Sequence, residues 1–161
     1  MADSPGAEPA ESEVVALQRI VDLLGGTKII RRRLRSAIDV HDVLRHGLPR
    51  ATVTHLYQHI GAFRNPTWLE NAIGMDIRTF QRHKRTPTRT LSQAQSGRTW
   101  TFAKILAQAT EVFGSRDEAL QWLERPAIGL EQRRPIDLLA TPAGIKIVED
   151  FLARLEYGVY A

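Results

Sequence analysis

The stretch SQAQSGRTWTFAKILAQATEVFG, running from Ser92 to Gly114, decides the fold class. Within it Phe102, Ile105, Leu106, Ala109, Val112 and Phe113 recur at the three- and four-residue spacing that lines up side chains along one face of an α-helix. Ser92 and Gln95 stand at the spacing of a capping box, and Gly114 supplies a C-terminal stop. Gly97 interrupts the pattern. A glycine inside a helix costs roughly 1 kcal/mol relative to alanine, so a start just after Gly97 is the alternative to a start near Ser92.

The same period extends in both directions. Val14, Leu17, Val21 and Leu24 form one stripe that stops at Gly25-Gly26, and Val53, Leu56, Tyr57 and Ile60 form another that stops at Gly61. Ser115 and Glu118 repeat the capping-box pattern ahead of Ala119, Leu120 and Leu123. Ile145, Val148, Leu152 and Leu155 make the last stripe, opened by Thr141-Pro142 and stopped by Gly158. Two-residue alternation bounded by hairpin turns is almost absent. The chain is therefore predicted to be all-α, with about eight or nine helices of ordinary length.

A chain of 161 residues, 43% hydrophobic, can bury one moderate core or two small ones that share an interface. With no cysteine there is no disulfide framework and no thiolate chemistry, and no run approaches the roughly 20 apolar residues that span a bilayer. The opening MADSPGAEPAESE lacks the cationic and apolar regions of a secretory signal, so a disordered acidic tail over residues 1–13 and a cytoplasmic location are expected. The net charge of +4 is unevenly spread: seven Lys or Arg against two acids from Thr27 to Arg50, eight against two from Arg64 to Lys104, then six against nine from Glu111 onward. A basic middle suits a polyanion, and the reversal suggests a second module with a different partner.

TWLENAIGMDIRTFQRHKR, Thr67 to Arg85, is a helix-turn-helix candidate. Trp68, Leu69, Ala72 and Ile73 make one apolar face, Gly74-Met75 a tight connection, and Asp76 an N-cap for a second helix resting on Ile77 and Phe80. Arg78, Thr79, Gln81, Arg82, His83, Lys84 and Arg85 would then face outward. Gln81 and Arg82, with Arg78 and Thr79, suit base edges in a major groove, and Lys84 and Arg85 suit phosphates. The alternative is an ordinary solvated helix. Lys28, Arg31, Arg32, Arg33 and Arg35 form a second basic cluster that could touch flanking phosphates, although contiguous arginines on a helix cannot all face one way and several must be merely solvated.

From Ser115 to the end, Pro and Gly punctuate three short helices, too few residues for an independent core, so they must pack on the helix ending at Phe113. Trp122, Ile128, Leu130, Ile136, Phe151, Tyr157, Val159 and Tyr160 exceed what so small a unit easily hides. They complete a shared core or dimer seam, or they form a patch awaiting a partner.

Other constellations carry less. His55 and His59 share a helix face, but LYQ between them provides no glutamate base and there is no third ligand. Gly25-Gly26-Thr27-Lys28 lacks the spacing of a phosphate loop. No nucleophile elbow or paired carboxylate suggests catalysis, so the chain is read as a non-enzyme with no cofactor and no metal.

GMDIRTFQRHK resembles the G-I-S-x-R-T-L-Q-R-R-K pattern of Xre-type antitoxins, with Asp76 in the capping slot and Phe80 in the leucine slot. Arg133 to Ala161 carries R-x-P-(I/L)-D-L-L-x-T-x-x-G, then V-E-D and E-Y-G-V-Y-A, and looks like the toxin-binding domain of the Xre/MbcA/ParS family. With TEVFGSRDEALQWL before it the likeness reaches back to about Thr110, although AIGLEQRRP is longer than the family's A-L-G-G-R-x-P. The resemblance implies a type II antitoxin that represses its own operon by binding operator DNA and neutralises a RES-domain toxin, an enzyme that consumes NAD. It implies an Xre-like DNA-binding and dimerisation region over residues 14–113, with the helix-turn-helix at about 66–85, and a toxin-binding domain over 114–161. A homodimer is expected, assembling into a larger complex with toxin. The terminal Glu156, Tyr157, Gly158, Val159, Tyr160 and Ala161, with Arg154 and the face bearing Phe151, are expected to pack at the toxin's active-site cleft; the alternative folds Tyr157 and Tyr160 back onto the chain's own core. Two other functions fit the same residues: a helix-turn-helix regulator whose C-terminal module serves only dimerisation, and an adaptor that no longer binds DNA.

Overall fold

A computed structural model describes residues 11–158, and every described element is helical apart from two isolated bridges. The chain is all-α, as its periodicity predicts. Helices α1 (Glu11–Leu23), α2 (Thr27–Ile30), α3 (Ala37–His46) and α4 (Ala51–His59) precede a 3₁₀ turn at Gly61–Arg64. Then α5 (Pro66–Trp68) runs on into a π-helical turn (Leu69–Ile73), and α6 (Ile77–His83) and α7 (Gln93–Phe113) follow. The C-terminal part holds α8 (Arg116–Glu124), a 3₁₀ turn at Ile128–Leu130, α9 (Pro135–Leu138) and α10 (Pro142–Glu156). Several of these are single turns, which is why periodicity alone undercounts them. The acidic tail expected over 1–13 is helical from Glu11, and its first ten residues lie outside the described part, as do Val159, Tyr160 and Ala161.

Helix starts follow local chemistry. The Ser92 hydroxyl accepts from the Gln95 N–H at 3.1 Å, Ser115 from Glu118 at 3.1 Å, and Thr141 from Gly144 at 3.0 Å with Pro142 in the first turn. Each such cap contributes about 1 kcal/mol by satisfying an N–H that the helix leaves open. The start of α7 at Gln93 keeps Gly97 inside the helix, where a side chain would meet only open space. Gly97 therefore lowers propensity without being needed by packing.

Helix α7 is the centre of the molecule. Phe102, Ala103, Ile105, Leu106 and Ala109 are essentially fully buried, and α1, α3, α8, α10 and the π turn all pack against this helix. Burying each large side chain stabilises the fold by roughly 1.5–3 kcal/mol. Phe63, Trp68 and Phe102 meet edge-on with ring centres 5.1–6.1 Å apart. A single hydrophobic cluster runs from Ile20 to Leu152, so the C-terminal elements share a core with the rest of the chain across the charge reversal near Glu111.

Close approach of α9 to α10 requires Gly144, where an added Cβ would lie 1.8 Å from the Leu138 carbonyl oxygen. Leu138 is backbone there and cannot move aside cheaply, which accounts for glycine three residues after Thr141.

Candidate functional site

Gly74 takes the left-handed conformation (φ 74°, ψ 34°) and turns the chain from the π turn into α6. Asp76 caps α6, its carboxylate accepting from the Thr79 N–H at 2.7 Å, and that hydrogen bond holds its pKa below the usual carboxylate value. Phe80 is buried and stacks on Tyr57 with centroids 4.5 Å apart. Arg78, Gln81, Arg82, Lys84 and Arg85 are exposed and Thr79 is half-buried, so this group presents mostly donors to solvent. Lys84 Nζ lies 5.8 Å from the centre of the Phe80 ring.

Two expectations for α6 are corrected. Ile77 is 37% exposed and does not anchor the helix; His83, expected outside, is 6% exposed and packs inward one turn after Phe80. Ile77 and His83 each stand three residues from Phe80, so spacing does not separate them; Ile77 is the first residue of the helix and lies at its exposed end, whereas His83 is its last and turns inward. Burial, then the nearby Arg50 and Arg82, lower the His83 pKa, and its buried Nδ1 has no hydrogen-bond partner among the described residues. Burial and the neighbouring guanidinium groups thus favour the neutral imidazole.

The second basic cluster is also not helical. Helix α2 ends at Ile30, Arg31 is left-handed (φ 59°), and residues 32–35 form an exposed non-helical connection apart from the buried Leu34. The helical-facing argument therefore does not apply to these arginines.

Arg98, on the second turn of α7, was not singled out by sequence. Its guanidinium Nη2 donates to Asn71 O and reaches Glu70 O at 3.4 Å and Leu139 O at 3.3 Å, drawing together the π turn and the residue that follows α9. Burial lowers its pKa from the usual value, yet a guanidinium remains cationic. An added Cβ on Gly74 would lie 2.3 Å from Arg98 Nη1, so the turn before α6 closes directly over this side chain. Asn71 Nδ2 donates to Asp137 Oδ1 at 3.2 Å, a second tie between the same two regions.

On the C-terminal side the apolar surplus divides. Leu130 and Ile136 complete the core, while Ile128 is 85% and Tyr157 78% exposed. Tyr157 therefore does not fold back onto the core; Tyr160 lies outside the described residues. Gly144, Val148 and Leu152 form the inner face of α10, and Ile147, Phe151 and Arg154 follow one another at helical spacing on another face. Phe151 is half-buried, parallel to Trp122 within 6° at 5.9 Å, and lies over Gly129, where an added Cβ would come within 2.3 Å of its ring. Ile147, 49% exposed, belongs to this face although sequence reading passed over it; its place four residues before Phe151 is the signal. Arg154, Glu156 and Gly158 are exposed, and Glu156 accepts from Gln108 Nε2 at 3.4 Å. The longer AIGLEQRRP loop is closed by an Ala127–Arg133 bridge and holds two left-handed non-glycine residues, Glu131 (φ 54°) and Gln132 (φ 63°).

His55 and His59 stack, with ring centroids 4.0 Å apart, and no group of three or more metal-ligating side chains occurs among the described residues. Nor does any described helix have the length and apolarity to cross a membrane.

One exposed cationic helix and one exposed apolar face on a common all-α core define a class of protein built around binding surfaces. The comparisons with known proteins agree in kind. Residues 108–158 match the antitoxin Xre/MbcA/ParS C-terminal toxin-binding domain. An antitoxin Xre of Photorhabdus laumondii is 30% identical over 118 residues, covering 73% of this chain and 78% of that protein. An antitoxin Xre of Yersinia enterocolitica is 33% identical over 91 residues, covering 56% and 61%. The chain belongs to the Xre/MbcA/ParS antitoxin family. A toxin is accordingly its partner.

Proposed function

We propose that this antitoxin neutralises a RES-domain, NAD-consuming toxin through the face of Ile128, Ile147, Phe151, Arg154 and Tyr157, and represses its own operon through α6. The observation that carries the toxin half is the exposed apolar face inside the segment matching the toxin-binding domain. The ending E-Y-G-V-Y-A, similar to that of antitoxins paired with RES toxins, supports the choice of toxin, and Glu156 to Ala161 would reach its cleft. For the DNA half, the support is a capped helix following a glycine turn. Arg78, Thr79, Gln81 and Arg82 would face bases, with Lys84 and Arg85 on phosphates. Two copies in a homodimer would cover two half-sites.

The test is coexpression with the product of the neighbouring gene, expected to be a RES-domain toxin. Wild type should copurify with the toxin and silence NAD loss, and Ile128→Glu with Ile147→Glu should lose both while melting normally. If those substitutions instead leave neutralisation intact and change only the oligomeric mass, the C-terminal face is a dimer seam. For DNA, alanine at Arg78, Gln81 and Arg82 together should abolish a promoter gel shift; an unchanged shift means α6 is not the reader.

A further inference from the structure

The basic segment around α2 lies against the loop that follows α6. Lys28, Ile29 and Arg31 line one side of a cleft of about 180 Å³ whose other walls are Pro49, Ala51, Pro87 and Thr88. That loop is fastened to the start of α4: the Arg50 N–H donates to Arg89 O at 2.8 Å, the Ala51 N–H to Pro87 O at 3.1 Å, and Arg50 Nη1 to Thr86 Oγ1 at 2.7 Å. Lys84 and Arg85 at the end of α6 therefore lead directly, through a braced loop, to Lys28 and Arg31.

Among the described residues these cations have no ion-pair partner. All four ion pairs among the described residues lie elsewhere: Arg19–Glu111, Lys104–Glu149, Arg134–Asp137 and Lys146–Asp150. Lys28, Arg31, Arg32, Arg33 and Arg35 are all exposed. Arg31 is also held in the left-handed conformation, which L side chains adopt reluctantly and glycine would take freely. A bulky cation kept at such a position, beside a braced loop and outside every ion pair among the described residues, suits an anionic partner met at a fixed place.

We propose that Lys28 and the Arg31–Arg35 segment hold the sugar-phosphate backbone of duplex DNA beyond the end of α6, as a sequence-independent clamp distinct from the base-reading side chains. This rests on the DNA-binding function proposed above. Arginine's planar fork and the lysine ammonium both fit phosphate oxygens, and such contacts position a protein on the duplex without reading its sequence.

The experiment measures affinity of the full chain for its own promoter fragment and for an unrelated duplex of equal length, across a salt series, in wild type and in Lys28→Gln/Arg31→Gln. Melting curves confirm that the variant folds. Loss of two phosphate contacts should flatten the slope of log affinity against log salt by about 2, so that a fourfold rise in salt costs wild type roughly tenfold more than the variant. Both duplexes should weaken by the same factor, leaving their affinity ratio unchanged, whereas Arg82→Ala should reduce that ratio. An unchanged slope with wild-type binding intact overturns the clamp alone. A fall confined to the promoter overturns it too, since these residues would then be reading bases. If wild type shows no salt-dependent binding to either duplex, the DNA-binding function fails and the clamp falls with it.

Discussion

Arg98→Met preserves the length and apolar stem of the side chain and deletes every donor. In the native protein one terminal nitrogen serves the carbonyls of Glu70, Asn71 and Leu139. Two hydrogens cannot satisfy three acceptors fully, so two charge-assisted bonds are a fair count of the loss, each worth about 1.5–3 kcal/mol. Arg98 is half-buried, and water recovers part of this in the variant. A net destabilisation of about 2–3 kcal/mol results. At roughly 2–4 °C per kcal/mol for a chain of this size, Tm should fall by about 5–10 °C. Urea unfolding followed by circular dichroism measures the first quantity and a thermal melt the second. Arg98→Lys, with the charge but not the fork, should recover part of the loss. A methionine variant within about 0.5 kcal/mol of wild type would refute the reasoning, because an ordinary surface substitution has that magnitude.

Glycine replacements at two helical positions should have opposite signs: Gly97→Ala, facing open space inside α7, should stabilise by up to about 1 kcal/mol, whereas Gly144→Ala, facing the Leu138 carbonyl, should destabilise by about 3 kcal/mol and weaken toxin capture; equal effects in urea would contradict both packing arguments. His83 has a lowered folded pKa, so its stabilising contribution is complete above the unfolded value near about 6.5 and is lost as pH falls from there toward the folded pKa. The fall in Tm between about pH 7 and 5 should shrink in His83→Leu, with His55, whose pKa is lowered by burial, His59 and Arg116, supplying a remainder; an undiminished fall would assign the effect elsewhere. Ile77, exposed at the head of the proposed reading helix, should contact a thymine methyl: deoxyuridine at one operator position should weaken wild type several-fold and Ile77→Ala hardly at all, and a scan in which no thymine matters would rule this out.

The legible parts of this fold are those whose causes are local. The phase of α7 follows from six apolar residues over several turns, and Ser92, Ser115, Thr141 and Asp76 mark helix starts because a cap involves only a residue and its near neighbours. Helix α6 has seven residues, too few for periodicity to fix its phase, and so Ile77 and His83 exchange places relative to a simple polar-out rule. Arg98 was illegible for a different reason: its acceptors are main-chain carbonyls, which every residue carries. The glycine of the T-x-x-G run could be read as a motif, but its cause, the Leu138 carbonyl, becomes visible only when α9 and α10 are brought together. The arginine run misled because α2 is a single turn closed by a left-handed residue.

Composition could count the apolar surplus of the C-terminal part but could not divide it. The division has energetic meaning. Leu130 and Ile136 stabilise the fold by burial, whereas Ile128, Ile147 and Tyr157 leave apolar surface in water, which contributes nothing to folding and is available for association. Phe151 lies between these groups. Its ring is already oriented by the parallel Trp122 and by the absence of a side chain at Gly129, so docking against it would cost little rotamer entropy. A preformed aromatic surface, with Ile147 and Arg154 at helical spacing on either side of Phe151, is the arrangement in which a few residues supply most of a binding free energy. Gly129 then acts on the proposed toxin interface through its lack of a Cβ: a side chain there would displace the Phe151 ring, while Ile128 beside it could be altered without disturbing the fold.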